Sequence, residues 1–176
     1  MLRGDKVGLR ARREADVAVL HSELYEDVAT RSRADSRAWR PLAVGPASPY
    51  AVSDLADDNA MFSVVTLADD ELAGEALLWG IDSHNRAAHI GVSLLPAFRG
   101  RGFGSDVVGV LCAYGFSVLG LHRLQAETLA DNRAMQRAAM KSGFVLEGTM
   151  RRSAWVDGDF VDDVLLGLLA TEWHAT

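Results

Sequence analysis

The stretch from Leu95 to Ser105 limits the fold of this chain more than any other. It reads Leu-Pro-Ala-Phe-Arg-Gly-Arg-Gly-Phe-Gly-Ser, with glycine at 100, 102 and 104. The run Ala87 to Leu95 before it has the character of a strand, and Pro96 stops it. Ser105 to Leu119 after it is apolar almost all round, as in a helix buried against a sheet. The glycines therefore sit at a strand-to-helix corner. They let the backbone turn tightly and bring its N–H groups close to a ligand. With a helix N-terminus behind them, those groups form an anion site whose natural guest is a pyrophosphate. A P-loop needs Gly-Lys-Ser/Thr, and no lysine follows these glycines. The dinucleotide fingerprint G-x-G-x-x-G would place its last glycine at Ser105 or Val107. Neither of these motifs fits, and a glycine-rich turn that serves packing alone and holds no ligand is the other reading of the segment.

The surrounding pattern predicts a mixed α/β fold. Val7 and Leu9 alternate with polar neighbours as in a short strand. From Glu14 to Asp27, Val17, Leu20, Leu24 and Val28 recur at helical spacing. Arg31 to Asp54 carries Pro41, Pro46 and Pro49, and reads as an irregular or short-helical substrate loop. Met61–Leu67 and Glu71–Ile81 flank Asp69-Asp70 as a hairpin. His122–Leu129 is a strand, and Asp131 or Asn132 can cap a helix running to Ser142, with Met135, Ala138 and Ala139 facing the core. Gly143 supplies its left-handed C-terminal cap, Phe144 folds back onto its last turn, and Val161–Leu169 closes the sheet. The chain is expected to form one domain over residues 1–176.

Charge and reactive residues narrow the function. The net charge of −6 makes a general nucleic-acid binder a poor reading. Arg86, Arg99, Arg101, Arg133, Arg137 and Lys141 nevertheless cluster mid-chain, and Asp157, Asp159, Asp162 and Asp163 lie near the end. The basic group suits a phosphorylated cofactor and the acidic group a cationic substrate; both also read as plain solvated faces. The lone cysteine, Cys112, reads as a buried core thiol. The five histidines lack metal-ligand spacing, so no metal is expected. No apolar run reaches membrane-spanning length and Met1–Lys6 lacks a secretory signature, so a cytoplasmic protein with no membrane partner is expected.

Arg99-x-x-Gly102-x-Gly104 resembles the Arg/Gln-x-x-Gly-x-Gly/Ala signature of the GNAT N-acetyltransferases. Ile90-Gly91-Val92, Pro96 and Phe98 fit its context, and Asn132 with Lys141-Ser142-Gly143-Phe144 is similar to the second motif of that family. Glu147-Gly148, Arg151 and the ending Leu168–Trp173 look like the RimJ/RimL subfamily, which acetylates ribosomal-protein N-termini. The resemblance implies an α/β (α+β) fold of GNAT type: a mixed, mostly antiparallel sheet, helices on both faces, and splayed central strands. It implies acetyl-CoA as co-substrate, an amine acceptor and a possible homodimer. The N–H groups of Arg99, Gly100, Arg101, Gly102, Phe103 and Gly104 would hold the pyrophosphate, with Arg137 and Lys141 nearby. Val92, Ser93 and Leu94 would lie beside the pantetheine arm, and an N–H near Ser93 or Leu94 would stabilise the oxyanion. Asn132 would reach the arm while also capping its helix.

An attacking amine must be neutral, so a base is needed. Glu127 stands where related alanine N-terminal acetyltransferases place a glutamate base. His89 sits on the ligand-binding strand with a suitable ordinary pKa. Glu75 is a third candidate, and each of the three also reads as a polar residue on a solvent-facing side of a strand. Met135 and Ala139 occupy the positions where relatives carry an acidic proton for the leaving thiolate, and neither has one. Trp39 and Trp155 are candidates to line the acceptor cleft. An acetyl-CoA sensor with little turnover is the alternative to an enzyme.

Overall fold

The computed structural model describes residues 1–54 and 56–174. Its strands are β1 (Leu2–Arg3), β2 (Val7–Arg10), β3 (Asn59–Thr66), β4 (Leu72–Asp82), β5 (Ala87–Leu94), β6 (Arg123–Leu129), β7 (Val145–Val156) and β8 (Asp159–Leu169). Its helices are α1 (Glu14–Leu20), α2 (Val28–Ala34), α3 (Phe103–Ala113) and α4 (Arg133–Lys141). The strands form one sheet in the order β1-β2-β3-β4-β5-β6-β8-β7. Every neighbouring pair is antiparallel except β5 and β6, which α3 joins as a crossover.

That parallel pair is short. It holds only where Ala87–His89 faces Arg123–Gln125. Beyond it β5 stays paired with β4 as far as Leu94, and β6 with β8 as far as Leu129. The sheet therefore parts in the middle, as expected of splayed central strands. Val64, Leu78, Ile90, Leu124 and Leu166 pack with Val107, Leu111 and Ala139 of α3 and α4 in the main core. Ser63 and Glu75 point to the opposite face, where α1 covers them. A second cluster of Leu20, Leu24, Tyr25, Tyr50 and Leu95 lies on that side.

Several elements depart from the sequence reading. The helical pattern from Glu14 is regular only to Leu20 and widens into a π-type turn over His21–Glu26. The turn buries His21, whose ring nitrogens contact Ser48 Oγ at 2.8 Å and the Leu42 carbonyl at 3.0 Å. These contacts, with Trp39 Nε1 donating to the Tyr25 carbonyl at 3.0 Å, pin the loop that the prolines marked as irregular. The apolar helix starts at Phe103, two residues early, and ends in a π-type turn over Tyr114–Val118. The long strand β7 had no counterpart in the sequence reading. It is an edge strand, nearly all exposed, bulged between Leu146 and Gly148 and again between Met150 and Ala154. Such a strand shows no inside–outside alternation. Cys112 is fully buried, and burial pushes its thiol up to about 12.

Asp16 ties α1 to the sheet. Its carboxylate accepts from Arg10 Nη1 and Nη2 at 2.7 and 2.9 Å, from the Arg13 N–H at 2.8 Å and from Ser63 Oγ at 2.7 Å. Burial opposes its charge, but these donors prevail and lower its pKa from 3.8 to about 2. A lowered carboxylate pKa stabilises the fold fully above the unfolded value and is lost as pH falls through the folded one. Asp16→Asn should therefore cost about 2 kcal/mol near neutral pH. In urea melts, the gap from the parent should close as pH falls from 3.8 towards 2.

Candidate active site

The glycine corner forms as expected. A single 3₁₀ turn, Pro96–Phe98, follows β5, and Gly100 and Gly102 then take positive φ of 72° and 83°. Gly102 is the N-cap of α3, so the unpaired N–H groups of the first turn open at this corner. Among the described residues, no atom lies within 4 Å of where a Cβ would sit on Gly100. At Gly102 the nearest atom is Lys6 Nζ, at 3.3 Å. Arg101 is exposed and stacks over Phe98 and Phe103, 5.5 and 5.0 Å from the ring centroids. Arg99 turns back, its Nε donating to the Leu94 carbonyl at 2.9 Å.

Lys6 had given no signal in the sequence, because it lies far from the glycines along the chain. The fold places it there through Asp106, in the first turn of α3. That carboxylate accepts from the backbone N–H groups of Asp5, Lys6 and Val7 at 3.0, 2.7 and 2.9 Å. Lys6 Nζ then reaches the Arg101 carbonyl at 3.5 Å, adding a cation to the corner. Arg137 and Lys141 are exposed on α4.

Below the corner, the gap between β5 and β6 presents backbone. The Leu95 N–H donates to the Ala73 carbonyl on β4. Successive residues of a strand alternate their polar groups, so Ser93 also faces β4 while Val92 and Leu94 face the gap. Leu94, more than Ser93, thus offers an N–H there. Asn132 uses both ends of its amide locally: Oδ1 accepts from the Met135 N–H at 3.2 Å and Nδ2 donates to Thr128 Oγ1 at 2.9 Å. Met135 is half-buried and Ala139 fully buried on the same helix.

The structure separates the three base candidates. His89 and Glu127 meet at the point where the sheet parts, with Nδ1 of the ring 3.6 Å from Oε1 of the carboxylate. Burial lowers the pKa of His89, Glu127 opposes that shift, and Arg123 adds to it. Glu127 stays exposed on its strand. Glu75 is elsewhere, and the reading of it as solvent-facing is overturned. It is 9% exposed beneath α1 and bound to Arg12 Nη2 at 2.7 Å. Burial raises its pKa, and the guanidinium partly offsets this. The helix that covers it comes from a distant part of the chain. Arg12 is itself buried, and its Nε and Nη1 have no partner among the described residues.

Trp39 and Trp155 line one cleft of about 350 Å³ between α2 and the β7–β8 turn, together with Asp35, Arg37 and Asp157. Arg31 and Arg37 both pair with Asp35 and lower its pKa against the opposing effect of burial. Among the described residues, no group of three or more His, Cys, Asp or Glu could hold a metal ion, and no helix is long and apolar enough to cross a membrane.

A sheet that parts beside a glycine-rich helix start is the arrangement that the resemblance to the acetyltransferase class implies. Residues 6–145 match the family model of the acetyltransferase (GNAT) domain, and the chain belongs to that family. It is similar to YoaA of Bacillus subtilis, an uncharacterized N-acetyltransferase, with 36% identity over 88 residues, 50% of either chain. It is also similar to YdaF of the same organism, a putative ribosomal N-acetyltransferase, with 32% identity over 108 residues, 61% of this chain and 59% of that one. These matches span about half to two thirds of the length of the curated relatives. The fold is shared with a spermidine N-acetyltransferase from Vibrio cholerae, crystallised with CoA and spermine. The TM-score is 0.79 at 18% identity, covering 94% of this chain and 96% of that one.

Proposed function

We propose that the protein, as a single domain, transfers the acetyl group of acetyl-CoA to a primary amine. The observation that carries this reading is the backbone of Val92 and the N–H of Leu94, which face a gap between β5 and β6 that leads to the glycine corner. An extended amide-bearing arm can bond to them as an added strand. Its pyrophosphate end then lies against the first turn of α3, beside Lys6 and Arg101.

The chemistry follows from what stands around that gap. A neutral amine attacks the thioester carbon, and the carbonyl electron pair moves onto oxygen. The Leu94 N–H stabilises that charge, and such a preorganised donor is worth roughly 3 kcal/mol. Glu127 takes the proton lost from nitrogen, and His89 holds the carboxylate from the side. The adduct collapses by breaking the C–S bond. Met135 and Ala139 offer no proton, so the thiolate is protonated by water; a thiol pKa of about 8.5 makes unassisted departure feasible.

The acceptor is a primary amine bound from the face that carries α1 and α2. The cleft between Trp39 and Trp155 suits its body, since aromatic faces attract alkylammonium groups. Similarity to a putative ribosomal acetyltransferase favours a peptide α-amine of RimJ/RimL type, and the fold neighbour that acts on spermidine favours a small polyamine. Calorimetry with acetyl-CoA, followed by thiol release on adding spermidine or an N-terminal peptide, tests the reading. Saturable binding and amine-dependent release are expected. Folded protein that binds no acetyl-CoA overturns the reading, and binding without amine-dependent release makes the protein a sensor.

A further inference from the structure

Five polar side chains on the sheet face opposite α3 form one directed line. Arg123 Nη1 donates to Glu147 Oε1 at 2.8 Å, and Nη2 reaches the other carboxylate oxygen. Nη2 also donates to Gln125 Oε1 at 3.2 Å. A guanidinium has only donors, so Gln125 has to present its oxygen there and its NH₂ on the other side. That NH₂ lies 3.2 Å from His89 Nε2. An amide NH₂ can only donate, which makes Nε2 the accepting nitrogen and puts the ring proton on Nδ1. Nδ1 is buried with no hydrogen-bond partner among the described residues and faces Glu127 at 3.6 Å. Trp79 stacks on the ring, 4.1 Å between centroids and 21° between planes, and so hinders its rotation.

We propose that Glu147, Arg123 and Gln125 lock neutral His89 in its Nδ1–H tautomer. His89 then donates towards Glu127 and orients it, and Glu127 is the proton acceptor. The proposal rests on the acetyl-transfer reading for the role of Glu127, but the lock itself does not. Gln125, Arg123 and Glu147 are positioning residues: they reach the reaction only through the ring. The charged groups around the ring are Glu127 and Arg123 on β6 and, through Arg123, Glu147 on β7. β4 contributes uncharged Trp79 and Gly80.

Histidine-labelled protein without ligand gives the first test, by two-bond proton–nitrogen correlation spectra recorded above the His89 titration. The expected spectrum shows a protonated Nδ1 and a bare Nε2. A proton on Nε2 overturns the lock. Gln125→Glu is the second test. It keeps the side-chain length and a partner for Arg123, so folding is retained, but a carboxylate can only accept from Nε2. The tautomer should invert and the His89 midpoint should rise by about one pH unit. The kcat should fall about tenfold or more with KM for acetyl-CoA unchanged, a split that general damage to the fold would not give. An unmoved midpoint and tautomer in this variant also overturn the proposal. An Nδ1–H form in protein whose Glu127→Gln variant keeps full turnover overturns the role of Glu127 alone. An Nδ1–H form in protein that binds no acetyl-CoA refutes only the acetyl-transfer reading.

Discussion

Gly102→Glu should abolish acetyl-CoA binding in a protein that still folds. Gly102 caps α3 with φ of 83°, so any side chain there carries roughly 1 kcal/mol of left-handed strain. The larger effect is electrostatic. The new carboxylate would sit at the positive end of α3, within reach of Lys6 Nζ, which lies 3.3 Å from the Cβ position. It would occupy the place of the pyrophosphate and repel it. A loss of at least two orders of magnitude in affinity is expected, about 2.7 kcal/mol or more. Calorimetry measures it, and circular dichroism confirms the fold. Affinity within a few-fold of the parent in a folded variant would remove the glycine corner from the binding site.

Glu127→Gln should lower kcat by about two orders of magnitude or more and leave acetyl-CoA affinity near the parent value. The amide keeps the shape of the side chain but cannot take a proton. The pH dependence carries a second signature. Burial keeps His89 neutral below its ordinary value of 6.5. As pH falls through that lowered value the ring gains a proton and a charge beside Glu127, making the carboxylate a weaker base. Parent turnover should therefore fall on the acid side, and the variant should lose most of that dependence. A parent-like pH–rate curve in Glu127→Gln would show that the proton leaves by another route.

The glycine corner was readable because it is local: the glycines, the proline before them and the apolar helix after them lie within one short segment. The capping of α4 was legible for the same reason, with Asn132 at one end and Gly143 at φ 99° at the other. What the sequence left out depends on contacts between distant segments. Glu127 and His89 were each identifiable, but their meeting depends on the register of a parallel strand pair. Lys6 reaches the corner only because Asp106 gathers the N-terminal turn. Arg12 is invisible as the partner of Glu75 until α1 folds over β4. Strand β7 escaped because an edge strand open to water on both sides has no reason to alternate. Gln136 escaped for a related reason. It is a polar residue in the core, held by its Nε2 donating to the Leu129 and Ala130 carbonyls at 3.3 and 2.9 Å.

Among the described residues, the ladder between β5 and β6 is confined to Ala87 with Arg123 through His89 with Gln125. A donor molecule bound between these strands, as proposed, would replace the rungs the protein lacks, so the loaded chain should be tougher than the empty one. At a hundredfold excess over the dissociation constant, the gain is about 2.7 kcal/mol. If acetyl-CoA is that donor, as proposed, its supply in a cell should set how long the protein survives proteases.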